Sequence, residues 1–354
     1  MATVTIIGAG MMGTALCWPL RDNGIDVRLV GTPLDKEIIR SILETGVHPT
    51  LRRKIPDGVK SFYCDDLSGM LERTDFVVNG VSSFGTDWFA QTVGPLLKPE
   101  IPVIAVTKGL DVQPDGYLKP LPEYIDEHLP SELRGKISLN AICGPCIAHE
   151  LAAGRQTCVV FTGHELEILR KLRKLFSTSY YHVWISTDLR DVEICAALKN
   201  AYALAIGMVV GISDKAGSDG LAQMYNPQAA VFAQSSREMR LLLKSQGGKE
   251  DYVNGLPGAG DLYVTVYGGR TLKLGRLLGQ GLSFSRALEQ MAGVTLESVK
   301  TITDVAGAVQ PLDSRGLLRA EELPLLKFLQ GVISLDQPVH LPWESFFGNH
   351  FDSL

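Results

Sequence analysis

The chain has 354 residues, 45% of them hydrophobic and 21% charged, with a formal net charge of −5. This is an ordinary globular composition, and the length favours two domains over one. The acidic balance excludes a general nucleic-acid or anionic-membrane binder and leaves room for a local basic pocket that takes a small phosphate.

The sequence enters a strand pattern directly after Met1, without the basic segment, apolar run and cleavage site of a signal peptide. The most apolar stretch, Ala201 to Ile212, reads as too short to span a bilayer and contains Gly207 and Gly211. The six cysteines are scattered through core-like segments and read as reduced thiols of a cytoplasmic protein.

In chain order, short apolar runs alternate with amphipathic stretches, the pattern of a parallel sheet covered by helices. Strands are expected at Val4–Ile7, Val27–Val30, Phe76–Val78, Val103–Val106, Ser138–Ile142, Cys158–Phe161 and His182–Trp184. Helices are expected between them, for example Met12–Asn23 and Glu165–Phe176. Beyond Ser186 the spacing turns helical almost throughout, with long candidates at Asp188–Ile212, Pro227–Gln246 and Leu274–Met291. The expectation is a sheet-containing domain over 1–186 and a helical domain over 187–354.

Gly8-Ala9-Gly10-Met11-Met12-Gly13 follows the first strand and opens the first helix. In that context the spacing is the fingerprint of a dinucleotide turn. Gly8 permits the bend, Gly10 admits the pyrophosphate to the backbone, and Gly13 lets helix and strand pack. The amides and dipole of the helix then face the phosphates. The plain alternative is a tight turn without a ligand. The second strand ends in Gly31-Thr32-Pro33 and not in the acid that holds an NAD ribose. Without that carboxylate a 2′-phosphate is not repelled, and Arg28 or Arg52-Arg53-Lys54 offers positive charge, against the commoner reading of such a run as a solvated basic surface; the lean is to dual or NADP-leaning use.

In the second half, Lys199 lies in a segment, Glu193 to Ile206, that is apolar on nearly every face. A lysine there is costly unless paired or set on a cleft, and burial disfavours its charged form, which suits proton donation to an alkoxide. The bland reading is a lysine that snorkels to the surface. Asn200 follows and can orient a substrate oxygen. Gly255 to Leu262 is a glycine-rich loop ending at Asp261, with Thr265 and then Gly268-Gly269-Arg270-Thr271 behind it. It reads as backbone made compact for a ligand, with Arg270 available to a phosphate, against the alternative of a plain interhelical loop.

These residues resemble the NAD(P)-dependent glycerol-3-phosphate dehydrogenase family nearly end to end. The pieces are GAGMMGTA at Gly8–Ala15, HPTL at His48–Leu51, VTKGL at Val106–Leu110 and CGPCIAHE at Cys143–Glu150, then ALKNAYALAIG at Ala197–Gly207, GAGDLYVT at Gly258–Thr265 and GGR at Gly268–Arg270. The resemblance implies an α/β Rossmann-type N-terminal domain and an all-α C-terminal domain of the 6-phosphogluconate dehydrogenase-like arrangement. It implies a soluble, cytoplasmic homodimer that uses NAD or NADP to interconvert glycerol 3-phosphate and dihydroxyacetone phosphate. Lys199 is then the acid/base, with Asp261 keeping it charged. Lys108, Asn200, Thr265, Arg270 and Thr271 bind substrate. Gly8, Gly10, Met11, Met12, Gly13, Thr32, Lys108, Ala148, Arg270 and Glu297 contact the cofactor.

The family usually has Asn where this chain has Thr271, and Gly where it has Ser298. Both changes keep the dehydrogenase chemistry and raise the alternative of another phosphorylated polyol or keto sugar. A non-catalytic dinucleotide sensor is the reading from another class. Cys143-Gly144-Pro145-Cys146 spells a thioredoxin-like dithiol at a strand-to-helix turn, but the family resemblance accounts for Gly144 and Pro145, and no zinc ligand set accompanies it.

Overall fold

The computed structural model describes residues 2–216 and 224–348. The chain forms two compact units: Met1–Lys108 with Pro120–Glu193, and Gly109–Lys119 with Ile194–Leu354. The division falls between Glu193 and Ile194, inside the helix Leu189–Ala216 and a few residues beyond the expected boundary at Ser186, and an eleven-residue excursion from the first half belongs to the second unit. A change in apolar spacing locates where helices begin to dominate, and it is blind to a short excursion of this kind.

The strands are β1 (Thr3–Ile7), β2 (Asp26–Val30), β3 (Val47–His48), β4 (Arg53–Lys54), β5 (Lys60–Phe62), β6 (Phe76–Asn79), β7 (Val103–Ala105), β8 (Leu110–Val112), β9 (Leu118–Pro120), β10 (Leu139–Cys143), β11 (Thr157–Thr162) and β12 (Tyr181–Ser186). Every strand expected from sequence coincides with one of these to within two residues. Eight form one sheet in the order β12-β11-β10-β7-β6-β1-β2-β5. Its pairings are parallel except β10 with β11, which run antiparallel. β1 is central, with Val4 opposite Val27 on one side and Phe76 on the other. That placement explains why β1, β6 and β7 read as nearly continuous apolar runs: both faces are covered.

The helices that matter to the site are α1 (Met11–Ala15), α2 (Cys17–Asp22), α3 (Lys36–Thr45), α4 (Ala148–Ala152) and α5 (Leu166–Phe176) in the first unit. Leu20, Ile39, Leu169 and Phe176 from these helices, with Leu16 between α1 and α2, pack with Val4, Ile6 and Val27 over one sheet face. Leu71, Phe89, Ile125 and Leu129 pack with Ile7, Val77 and Val103 over the other.

The second unit is helical apart from the β8–β9 hairpin. Its helices include α6 (Leu189–Ala216), α7 (Tyr225–Ser245), α8 (Asp261–Thr265), α9 (Arg270–Gly279), α10 (Phe284–Gln290), α11 (Glu297–Ser314) and α12 (Pro324–Leu335). The expected single helix Leu274–Met291 is two. Gly281 at φ +100° ends one, and Ser283 caps the next by accepting from the Arg286 amide.

Among the described residues one helix, Leu189–Lys215, is long and apolar enough to cross a membrane, with mean hydropathy 1.6, and 89% of that window is buried in the protein. This apolar run is longer than the Ala201–Ile212 stretch read from sequence. It forms the core of its unit, where α6 meets α9 backbone to backbone. A Cβ on Gly275 would meet Leu204 O at 2.6 Å, and one on Gly279 would meet Met208 O at 2.0 Å. The glycines thus hold the helix that begins at Arg270 directly against the helix that carries Lys199.

Candidate active site

In the first unit, β1 delivers the chain into the Gly8–Gly13 turn. Gly8 lies at φ +105°, and its amide donates to Val30 O at 2.8 Å. An added Cβ would meet the Gly80 carbonyl carbon at 2.7 Å on Gly8 and Gly8 O at 2.5 Å on Gly13. On Gly10 it would meet nothing nearer than Gly80 O at 4.0 Å. The first and third glycines are sealed against protein, whereas the second faces open space, the cradle that a pyrophosphate requires. The amides of the first turn of α1 have no intrahelical carbonyl to bond, so they suit an anion.

Thr32 follows β2, and its amide and hydroxyl both donate to Asp35 Oδ2 at 2.8 Å. Ala148 begins α4, which lies against α1. Lys108 Nζ donates to Gly144 O at 3.3 Å, in the CGPC segment. Cys143 Sγ donates to Glu193 Oε1 at 2.8 Å. Burial pushes the Glu193 carboxyl up to about 7, against the downward pull of the Cys143 hydrogen bond and the charge of Lys108.

In the second unit, Lys199 is buried rather than snorkelling. Its Nζ lies 2.8 Å from Asp261 Oδ1 and 2.7 Å from Thr265 Oγ1, with the lysine and aspartate side chains only 8% and 3% exposed. The Thr265 hydroxyl donates in turn to Asp261 O at 2.7 Å, so its oxygen accepts from the ammonium. Residues 62 and 66 positions away in sequence are thereby fixed on one nitrogen. The glycine-rich segment makes this approach: a Cβ on Gly258 would sit 2.2 Å from Val253 O. Arg270 starts α9 with its side chain half exposed, and its Nη2 is 3.9 Å from Glu297 Oε2. Thr271 follows it, and Asn200 is partly buried beside Lys199. Ser298 is fully buried, so its hydroxyl is turned into the protein and not outward as a ligand-contacting change would require.

The sequence reading missed Asp35 and gave no role to His48, which is completely buried. The HPTL segment was the available signal for the latter. For Asp35 there was a carboxylate five residues after β2, displaced from the place where a ribose acid is sought.

The family description "NAD-dependent glycerol-3-phosphate dehydrogenase N-terminus" matches residues 3–168, and its C-terminal counterpart matches residues 188–341. The NADP(+)-dependent glycerol-3-phosphate dehydrogenase of Archaeoglobus fulgidus is 37% identical over 288 residues, 81% of this chain and 83% of that protein. The NAD(P)+ glycerol-3-phosphate dehydrogenase of Carboxydothermus hydrogenoformans is 29% identical over 347 residues, 98% and 95% of the two chains. The crystal structure of glycerol-3-phosphate dehydrogenase from Coxiella burnetii aligns with a TM-score of 0.79 at 26% identity, covering 97% of each chain. A ketopantoate reductase from Ralstonia eutropha, at 18% identity and a TM-score of 0.57, shares the fold alone. With both of its halves matched, the chain belongs to the NAD-dependent glycerol-3-phosphate dehydrogenase family.

Proposed function

We propose that the chain interconverts dihydroxyacetone phosphate and glycerol 3-phosphate with NAD or NADP, Lys199 acting as the acid/base. The buried Lys199–Asp261–Thr265 cluster carries this reading: Asp261 holds the proton on an amine that burial would otherwise discharge, and Thr265 directs it, at the position where the family resemblance expects the acid/base. Hydride chemistry is what a bound nicotinamide supplies. The Gly8–Gly13 turn holds its pyrophosphate, with Thr32, Ala148, Lys108, Arg270 and Glu297 as further cofactor contacts.

Lys199 Nζ gives its proton to the ketone oxygen as negative charge develops there, and takes it back in the reverse direction. Asp261 keeps the nitrogen charged before transfer, and Thr265 fixes its direction. Arg270 pairs with the substrate phosphate, Thr271 adds one hydroxyl donor, and Lys108 and Asn200 orient the substrate oxygens. NADP(H) is placed first because Asp35 is drawn onto Thr32 and Ala9 and because the Archaeoglobus relative is named for NADP(+). A cytoplasmic homodimer is the setting that family membership favours.

Thr271 favours a second reading, the same chemistry on a longer phosphorylated keto sugar. Steady-state oxidation of NADH and NADPH with dihydroxyacetone phosphate, beside four- and five-carbon keto phosphates, separates the two. The proposal expects dihydroxyacetone phosphate to have the highest kcat/KM. No turnover of it with either cofactor overturns the proposal.

A further inference from the structure

We propose that His48 and Asp35 are positioning residues that clamp the Ala9 peptides and so aim the dinucleotide turn at its phosphates. The proposal rests on the dinucleotide-binding reading of Gly8–Gly13.

Ala9 is fully buried between two glycines, and it is gripped from both ends. Its amide donates to Asp35 Oδ2 at 3.1 Å. Its carbonyl lies 2.9 Å from His48 Nε2 and also accepts from Thr14 Oγ1 at 3.2 Å. A carbonyl only accepts, so His48 Nε2 carries a proton. The Leu51 amide donates to His48 Nδ1 at 3.1 Å, so that nitrogen is bare. The two contacts define one neutral tautomer.

Among the described residues all peptides are trans, so the Ala9 carbonyl and the Gly10 amide point in opposite directions on one rigid plane. Holding the carbonyl with His48 therefore fixes where the Gly10 N–H points, at the one glycine whose outer face is open. Asp35 does the same for the preceding peptide.

Two features set this apart from ordinary loop bonding. Asp35 occupies the N-cap position of α3, yet its side chain makes no bond to that helix. An aspartate there normally caps its own helix; this one is directed to Ala9 and Thr32. The β3–β4 hairpin has two-residue strands, the second of them exposed, and its buried contribution to the turn is His48. Burial lowers the His48 pKa below 6.5; its charged or titratable neighbours are Asp35, which opposes that shift, and His149, which adds to it.

The experiment measures Kd for NADH and NADPH by fluorescence, kcat, KM for dihydroxyacetone phosphate, and Tm, in wild type, H48L, H48Q, D35N and D35A. H48L, which removes one hydrogen bond to the Ala9 peptides, and D35A, which removes one to Ala9 and two to Thr32, are each expected to raise the dinucleotide Kd about fivefold or more, with kcat at saturating cofactor and substrate KM within about twofold. H48Q restores a donor toward Ala9 O and recovers most of the affinity. On acidification below pH 6.5 wild-type Kd rises, since a protonated Nδ1 opposes the Leu51 amide, while H48Q stays flat.

If H48L does not fold, H48Q against D35A carries the comparison. Dinucleotide affinity unchanged in both H48L and D35A overturns the proposal, as does a loss that falls equally on kcat and substrate KM, or an H48Q pH profile that follows wild type. Failure of the wild type to bind either dinucleotide is a different result and removes the reading of the turn itself.

Discussion

Gly10→Ala separates the folding role of the turn from its binding role. Gly10 has φ −62° and ψ 169°, backbone that alanine adopts without strain. The new methyl would find no protein atom nearer than 4.0 Å. The folded state therefore loses nothing, and the reduced freedom of the unfolded chain adds roughly 0.4–1 kcal/mol of stability. The same methyl occupies the space through which the backbone approaches the pyrophosphate. Loss of one charge-assisted hydrogen bond there, about 1.5–3 kcal/mol, corresponds to roughly 10- to 100-fold in dinucleotide Kd. Gly13→Ala is the control, because its methyl would sit 2.5 Å from Gly8 O, a backbone atom that cannot easily yield. Thermal melts and cofactor titrations of both variants are the assay. Gly10→Ala should melt no lower than wild type and bind poorly, whereas Gly13→Ala should melt lower. Gly10→Ala binding NADH and NADPH as wild type does, or melting as low as Gly13→Ala, would refute the reasoning.

Two further predictions concern buried carboxylates. Glu238 receives four donors, from Tyr202, Gln234 and the amides of Leu325 and Leu326 at the start of α12. Glu238→Gln turns an amide NH2 against some of them and should cost about 2–3 kcal/mol at pH 8, read as a fall in denaturant midpoint. The Glu193 pKa is raised by burial from 4.5 to about 7. A raised carboxyl pKa means the folded state binds its proton more tightly, so that stability is fully present below pH 4.5 and is lost as pH rises through about 7. The loss amounts to about 3 kcal/mol. Glu193→Gln should flatten the dependence of Tm on pH between 5 and 8 and raise Tm at pH 8; an unchanged slope counts against it.

Much of the fold was legible because parallel strands buried on both faces carry nearly continuous apolar runs, as in Phe76–Val78. Strand direction was not, since the side-chain pattern of β11 is the same whichever way it pairs with β10. The β3–β4 hairpin escaped because two-residue strands, one of them Arg53–Lys54 and exposed, carry no periodicity. Lys199 stood out as a charge on an apolar helix. The family resemblance named Asp261 as the group that keeps it charged, and the close packing of the glycine segment 255–260 against Val253 shows how Asp261 comes within reach. Ser298 was singled out because the family usually has Gly at that position in a motif near the cofactor, and its burial in the helix could not be read from that comparison.

The central claim is that the cofactor is held by the turn while the proton is handled by Lys199. The most direct test is Lys199→Ala with dinucleotide affinity and turnover of dihydroxyacetone phosphate measured on the same preparation. The expected result is NADPH affinity within about threefold of wild type and kcat lower by roughly 10²–10⁴. A near-normal kcat in this variant would contradict the account and move the proton donor elsewhere.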